Sequence, residues 1–475
     1  MSGEISYTAT EPALWGETEV IVAGGGVSGV AAAIGAARAG AKTLLIERIG
    51  FLGGVATAGL MTSMTNFIFT GDGHQVVKGV CEEVLENLVA RGATSPQWRS
   101  RAVPQIPFDQ ETFRTVLIEM LRDAGVALLL ETWVVDVIKE KDALVGVIVE
   151  NKGGRQAILC KVAVDTTGDA DLAALSGAPY LHTPPDSGSL LFLMAHVDLD
   201  RTVSYFEDHP EEWQQYCDRV TPLEDFIDNW RRRGIFHLPH GGGRKMKLVQ
   251  EAIERGDYVR ERDLCKDLDV FGMFAYQGTD EVLINSCNFR TNHLDPSLNS
   301  RAGWEARCVI PVTAEFLRKN MPGFEQAIVS TSAPMIGVRS TRRIDAGFDL
   351  TYLDVAQGAG FGDVIGVISA CERHPKGGVL YPPRSADLPY RVMLPQKVEN
   401  LIVGSGKSVS TNPRGLVRGQ VPCYVLGQGA GVAAAVAVKT ETTARNVALP
   451  EVQRALLAQN VYLGEPDRLA ELGIA

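Results

Sequence analysis

Three glycines, Gly24, Gly26 and Gly29, stand in GxGxxG spacing within EVIVAGGGVSGVAAAIGAARAGAKTLLIE, a stretch that ends on the acid Glu47. The set suits dinucleotide binding. Gly24 permits a tight turn, Gly26 lets backbone approach a pyrophosphate, and Gly29 lets a following helix pack closely on the strand before it. Val27 and Ser28 would then open that helix, aiming N–H groups and the positive end of its dipole at the phosphates. An acid at Glu47 can grip a free ribose diol, so the residues argue for FAD or NAD rather than NADP. Beyond it, Arg48 and a second glycine pair, Gly53 and Gly54, with Thr57 following, offer a loop that could wrap a pyrophosphate and the flavin end of FAD.

Flavin would carry out a redox step itself, leaving the protein to supply positioning, a proton donor or acceptor, and charge complementarity. His237 and His240 in FHLPHGGGRK are the acid–base candidates, with a plain surface or core histidine as the alternative for each. Arg290, Arg339, Arg342, Arg343 and Arg414 could clamp a carboxylate or stabilise an enolate, or else pair structural acids such as Asp345 and Asp349. Asn412 and Arg414 have the best position, in a loop between two segments expected at the cofactor, so the catalytic expectation is Asn412, Arg414, His240 and Arg339. GSGKS at 404–408 resembles half of an ATP phosphate loop, but Leu401 occupies the place of its first glycine. Gly404 is instead expected against the ribityl or pyrophosphate part of FAD, with Lys407 a local charge.

These residues need elements to hold them. The run from Val20 to Ala23 reads as a strand, the Ala-rich segment after Gly26 as a helix stopping at Gly40, and Lys42 to Ile46 as a second strand. From Trp133 come three further β-runs, WVVDVIKE, LVGVIVE and RQAILCKVAVDT, which place Val134 near the cofactor. The third ends in Thr166-Thr167-Gly168-Asp169, where Asp169 either caps the helix after it or lies near the cofactor phosphates. A last strand runs Asn400 to Gly404, followed by VPCYVLGQGAGVAAAVAVK, whose Gly427, Gly429 and Gly431 flank Gln428. Glycine inside a helix costs about 1 kcal/mol relative to alanine, so something is expected to approach this backbone, and flavin is the candidate.

In this order, VIVAGGGVSGVAAA, IERIGFLGGVATAG, VDTTGDADLAALSGAP, PMIGVRSTRRI, LPYRVMLPQKVENLIVGSGKSVS and VLGQGAGVAAA resemble the FAD-dependent oxidoreductase family distantly related to fumarate reductase flavoproteins. The longer pattern through Ala33 and Gly40 is similar to flavoproteins of the glutathione reductase type. The resemblance implies an α/β fold: a Rossmann-like FAD-binding domain with a parallel sheet and a small β insert, plus an inserted α+β cap or substrate domain. Residues 16–185 and 331–475 would form the FAD-binding domain and 186–330 the cap. The chain departs from the family pattern at Thr411–Arg414, where a His or an acid is frequent, and at Ser340, where a Glu is common.

Composition agrees with a small partner. A net charge of -11 repels phosphate backbones and anionic membrane surfaces, which argues against nucleic acid and membrane partners. The eight cysteines include no CxxC pair, so no metal, cluster or redox disulfide is signalled. The N-terminus lacks the pattern of a signal peptide and no uninterrupted apolar run approaches membrane length, so a cytoplasmic chain is expected. A homo-oligomer is left open, as is the external electron donor or acceptor. The expected function is hydride transfer between a small organic substrate, neutral or anionic, and flavin N5. Redox-neutral flavin-dependent hydration or isomerisation, and flavin binding without turnover, are the alternatives.

Overall fold

Short, uniformly apolar runs such as VIVA and TLLI can be satisfied only where both faces of a sheet are covered, which is the condition of a parallel sheet. In the computed structural model, which describes residues 11–100, 102–216, 221–239, 246–257, 272–369, 372–373, 379–380 and 384–475, they lie at its centre. Five parallel strands run in the order Leu401–Val403, Val162–Asp165, Val20–Ala23, Thr43–Ile46 and Ala127–Leu129. The C-terminal strand thus joins the sheet begun by the N-terminal glycine motif, and both ends of the chain build one site.

The β insert is a four-stranded sheet in the order Ala13–Glu17, Gly154–Leu159, Ala143–Asn151, Trp133–Glu140. Its sequence was legible except at two places. The run read as RQAILCKVAVDT is two strands, because the Cys160 N–H bonds back to Val145 in the insert while the Lys161 N–H bonds to Glu19 at the central sheet. The exposed N-terminal strand Ala13–Glu17 carries no clear apolar alternation, which is why the pattern missed it.

A second sheet is antiparallel: Ile235–Leu238, Gly272–Tyr276, Val282–Thr291, Asp186–Ala195 and Ile328–Ser332, with Gly337–Val338 also pairing on Asp186–Ala195. Helices including Leu199–Asp208, Leu223–Arg233 and the long Pro296–Asn320 close its core around Phe192, Phe206, Trp213, Phe226 and Phe316. Asp295 starts the long helix by accepting from the Ser297 and Leu298 N–H groups, with Pro296 at its first turn. The Arg231–Arg233 run ends its helix before Gly234, which turns at φ +66, and pairs with Glu207 and Asp228.

The glycines of the C-terminal helix Gln420–Lys439 correct one expectation. A Cβ on Gly427 would lie 2.1 Å from the Ser28 carbonyl oxygen, and one on Gly431 would lie 1.9 Å from that of Ala32. The backbone that approaches them is therefore that of the glycine-motif helix Val27–Arg38, while Gly429 packs on Ile365. Gln428 accepts from the Val80 N–H at 3.1 Å and donates to Gln459 at 3.2 Å. This helix is also long and apolar enough on average to cross a membrane, although Gln428 interrupts its apolar run, and 94% of its apolar window is buried.

Candidate cofactor and substrate cleft

The strand Val20–Ala23 delivers Gly24 to a turn at φ +101, where a Cβ would stand 2.6 Å from the Thr166 carbonyl oxygen. Five residues on, a Cβ on Gly29 would fall 1.7 Å from the Gly24 oxygen, so the helix can sit this close only without side chains. Gly26 bridges to Gly53 on the second glycine loop, and Gly53 itself turns at φ +104. The helix Val27–Arg38 starts with no side-chain cap and no acid in its first turn. Its first N–H groups are left to an external acceptor at the wall of the cleft, where Val27 and Ser28 stand.

Beside this cradle, Glu47 is buried at 6% exposure at the end of the strand Thr43–Ile46. Its carboxylate accepts from the Gly25 N–H at 2.5 Å and the Ile49 N–H at 2.9 Å. Each oxygen retains a lone pair, so the group can still accept from a hydroxyl. Burial raises its pKa, partly offset by these two donors and by Arg48. Arg48 lies over the Trp133 ring at 5.5 Å, and both border the cleft with Val134.

On the other flank of the cradle, the strand Val162–Asp165 ends in a carboxylate that works within the fold. Asp165 accepts from Thr167 N–H, Thr167 hydroxyl and Ala173 N–H, at 3.1, 2.7 and 3.1 Å, and burial pushes its pKa up to about 6. Asp169 therefore does not cap the helix Asp171–Leu175; it faces the cleft. Lys407 reaches it at 3.2 Å and the Thr341 hydroxyl at 2.8 Å. Burial raises the Asp169 pKa, but Lys407, Thr341 and His293 outweigh it and hold the group below its ordinary value. The whole cleft has a volume of about 900 Å³ and runs between the parallel sheet and the antiparallel one.

Residues 19–456 match the family described as FAD dependent oxidoreductase. The chain belongs to this family. The cradle fits its cofactor, FAD: an uncapped helix start, two facing glycine loops and a buried carboxylate supply the donors, the space and the acceptor that an adenine dinucleotide needs. Among solved structures, the oxidoreductase is similar to a geranylgeranyl bacteriochlorophyll reductase-like protein of Thermoplasma acidophilum, with 12% identity, 94% of this chain and 87% of that chain covered, and a TM-score of 0.44. It is also similar to the myxobacterial chondrochloren halogenase CndH, at 12% identity, 93% and 78% coverage and a TM-score of 0.44. A third similarity is to p-nitrophenol 4-monooxygenase PnpA from Pseudomonas putida, at 12% identity, 96% and 92% coverage and a TM-score of 0.38. No curated protein matches the chain.

Of the residues singled out in its sequence, the oxidoreductase brings Gly24, Gly26, Val27, Ser28, Glu47, Arg48, Gly53, Gly54, Val134, Thr167, Gly168, Asp169 and Arg339 to the cleft. Gly29 and Thr57 stand behind it. Thr57 is fully buried and donates to the Leu52 carbonyl at 2.6 Å, under the Gly53 turn. Gly404 is not at the cleft: a Cβ there would lie 3.1 Å from both the Ala430 and Thr166 side chains in the layer beneath, and its neighbours Ser405 and Lys407 line the cleft instead. Gly427, Gln428 and Gly429 are absent from the lining for the packing reasons given above.

Two catalytic expectations are corrected outright. Arg414 is committed to the fold, paired with the buried Asp186 at 2.9 Å and donating to the Thr341 carbonyl at 2.8 Å. Asn412 is exposed in a two-residue strand pairing with Leu350–Thr351, outside the cleft. His240 lies outside the described residues. His237 is buried in the antiparallel sheet and stacks on Phe274 at 5.1 Å.

The sequence reading passed over His293, Arg418, Gln420, Asn285 and Trp304, all of which border the cleft. His293 precedes the Asp295–Pro296 helix start, and that cap signal could have placed it at a loop facing the sheet edge. Its Nδ1 lies 2.6 Å from the Asn299 amide oxygen, so Nδ1 carries the proton and Nε2 is the free base. Burial lowers its pKa, with Asp169 and Asn299 pulling the other way. Asn285 sits in a β-bulge, where Asn285 and Ser286 together face Leu191 and the strand's alternation shifts. The side-chain oxygens of Asn285 and Gln420 are buried without a hydrogen-bond partner.

Proposed function

We propose that the protein transfers hydride between a small organic substrate and the N5 atom of FAD, in the cleft between the two sheets. The observation that carries this is the meeting of two unlike walls. One wall is the glycine cradle with Glu47. The other, from the antiparallel sheet and the loops at its edge, combines apolar Leu190, Leu191, Phe274 and Ile336 with polar Asn285, His293 and Arg339. Bound FAD supplies the two-electron chemistry.

The protein's residues have the remaining tasks. The first N–H groups of the helix Val27–Arg38 hold the pyrophosphate, and Glu47 accepts from the ribose. Leu190, Leu191, Phe274 and Ile336 exclude water, which strengthens every polar contact within the cleft. Asn285 and Gln420 offer acceptors that orient the substrate. His293, kept neutral by burial and fixed through Nδ1 by Asn299, takes or returns a proton at Nε2. Mixing the yellow protein with candidate substrates in the absence of oxygen tests this: the right substrate bleaches the flavin stoichiometrically. Conversion of a substrate while the flavin stays oxidised throughout would instead mean a redox-neutral reaction.

A further inference from the structure

Where the antiparallel sheet meets the start of the C-terminal helix, two cations, Arg339 and Arg418, border the cleft, and a third, the exposed Arg290, stands beside Arg339 outside the lining. Arg339 follows the short strand Gly337–Val338, and its N–H bonds to the Ser187 carbonyl at 2.9 Å. Ser187 in turn pairs in register with Arg290, so two arginines flank a single residue of the strand between them. Arg418 comes from the other side, directly before the helix Gln420–Lys439, and borders the same cleft as Arg339. Among the described residues, none of the three forms an ion pair, whereas Lys407 at the same cleft pairs with Asp169 and Arg307 donates to the Ser332 hydroxyl and the Ala333 carbonyl.

The electrostatics of the group are those of a site waiting for charge. Burial, then the neighbouring Arg290, pushes the Arg339 pKa below its ordinary value, and burial followed by Arg339 pushes that of Arg418 down to about 10. Both remain protonated at neutral pH. Solvent still reaches the Arg418 side chain through the open cleft, although protein atoms enclose it. The single side-chain bond in the group, from Arg339 to the Asn288 amide oxygen at 3.1 Å, orients the guanidinium and leaves the Asn288 NH₂ buried with no acceptor. Unpaired like charges placed together lower stability, and an oxyanion removes the repulsion while filling the open donors. The phosphates of FAD have their own donors at Val27 and Ser28, so this anion is not theirs.

We infer that the substrate carries an oxyanion, a carboxylate or a phosphate ester, which seats on the guanidinium groups of Arg339 and Arg418 with Arg290 adding charge. This rests on the proposed function, since it places the substrate beside the cofactor in one cleft. In a protein of net charge -11, such a basic pocket also draws the anion to one place on an otherwise repelling surface.

The test uses the FAD-loaded protein at low ionic strength, titrated with benzoate, glutarate and inorganic phosphate, each carboxylate against its neutral amide. Binding is read from shifts in the flavin absorption bands and from calorimetry. At least one anion is expected to saturate where its neutral counterpart does not, and the anion that does so tells carboxylate from phosphate. Arg339→Gln and Arg418→Gln should each weaken that binding about 10- to 100-fold, the value of a charge-assisted hydrogen bond. Asn288→Asp keeps both arginines and nearly the same shape but gives Arg339 an internal carboxylate, and should weaken the anion similarly while the protein still melts cooperatively and holds FAD. Saturation by no anion at about 10 mM, equal binding of neutral amides, or wild-type affinity in all three variants overturns the inference. A colourless protein without FAD would sink the functional reading instead, so the two failures are distinct.

Discussion

Glu47 already accepts two backbone donors, so its remaining lone pairs are oriented before any ligand arrives. Glu47→Ala removes the proposed ribose acceptor and strands the Gly25 and Ile49 N–H groups, and the purified variant should hold FAD about 10- to 100-fold more weakly, measured by cofactor release on dilution. His293 makes a different kind of prediction. In its proposed role the working form is the neutral imidazole, so the rate of flavin reduction should fall as pH drops through its lowered pKa and the ring protonates. His293→Gln should abolish that acidic limb of the pH profile while leaving FAD binding intact; an unchanged limb removes His293 from the proton-handling role. The two residues also differ in how legible they were. Glu47 stands at a fixed place in a repeating strand–helix–strand unit, whereas His293 acquires its role only when a loop more than a hundred residues downstream of Asp169 folds against it.

The elements were legible where a pattern has one physical cause. Strand, glycines, helix and strand around Gly24 obey a single packing rule, and the insert strands follow alternation and turn residues. The C-terminal glycines were misread in purpose because close approach to a backbone looks the same in sequence whether the visitor is a ligand or a helix. Here it is the helix whose first turn opens the cofactor cradle, so the seam links packing to binding. Gly431→Val places atoms where a Cβ would already lie 1.9 Å from the Ala32 carbonyl, and should cost about 1–3 kcal/mol or more. A lowered Tm together with weaker FAD retention is expected, and calorimetry of the FAD-loaded and FAD-free forms checks both. An undisturbed Tm would show that the two helices can part freely.

At the scale of the molecule, the chain crosses between two hydrophobic cores, and the cleft is bounded by both. This explains why the loop 411–414 does not line the cleft. Position between two cofactor-directed segments does not decide orientation, and the buried Asp186 draws Arg414 into the frame of the second sheet instead. Arg418, just before the C-terminal helix, likewise has no sequence signal of its own, since its neighbour Arg339 comes from the edge of the second sheet. In the proposed reaction, hydride passes between the substrate held between these walls and flavin N5. Anaerobic stopped-flow mixing with a substrate deuterated at the reacting carbon tests it most directly. Full, stoichiometric bleaching of the flavin is expected, several-fold slower for the deuterated substrate; product formed while the flavin remains oxidised, or bleaching at the same rate for both substrates, would rule against hydride transfer from that carbon.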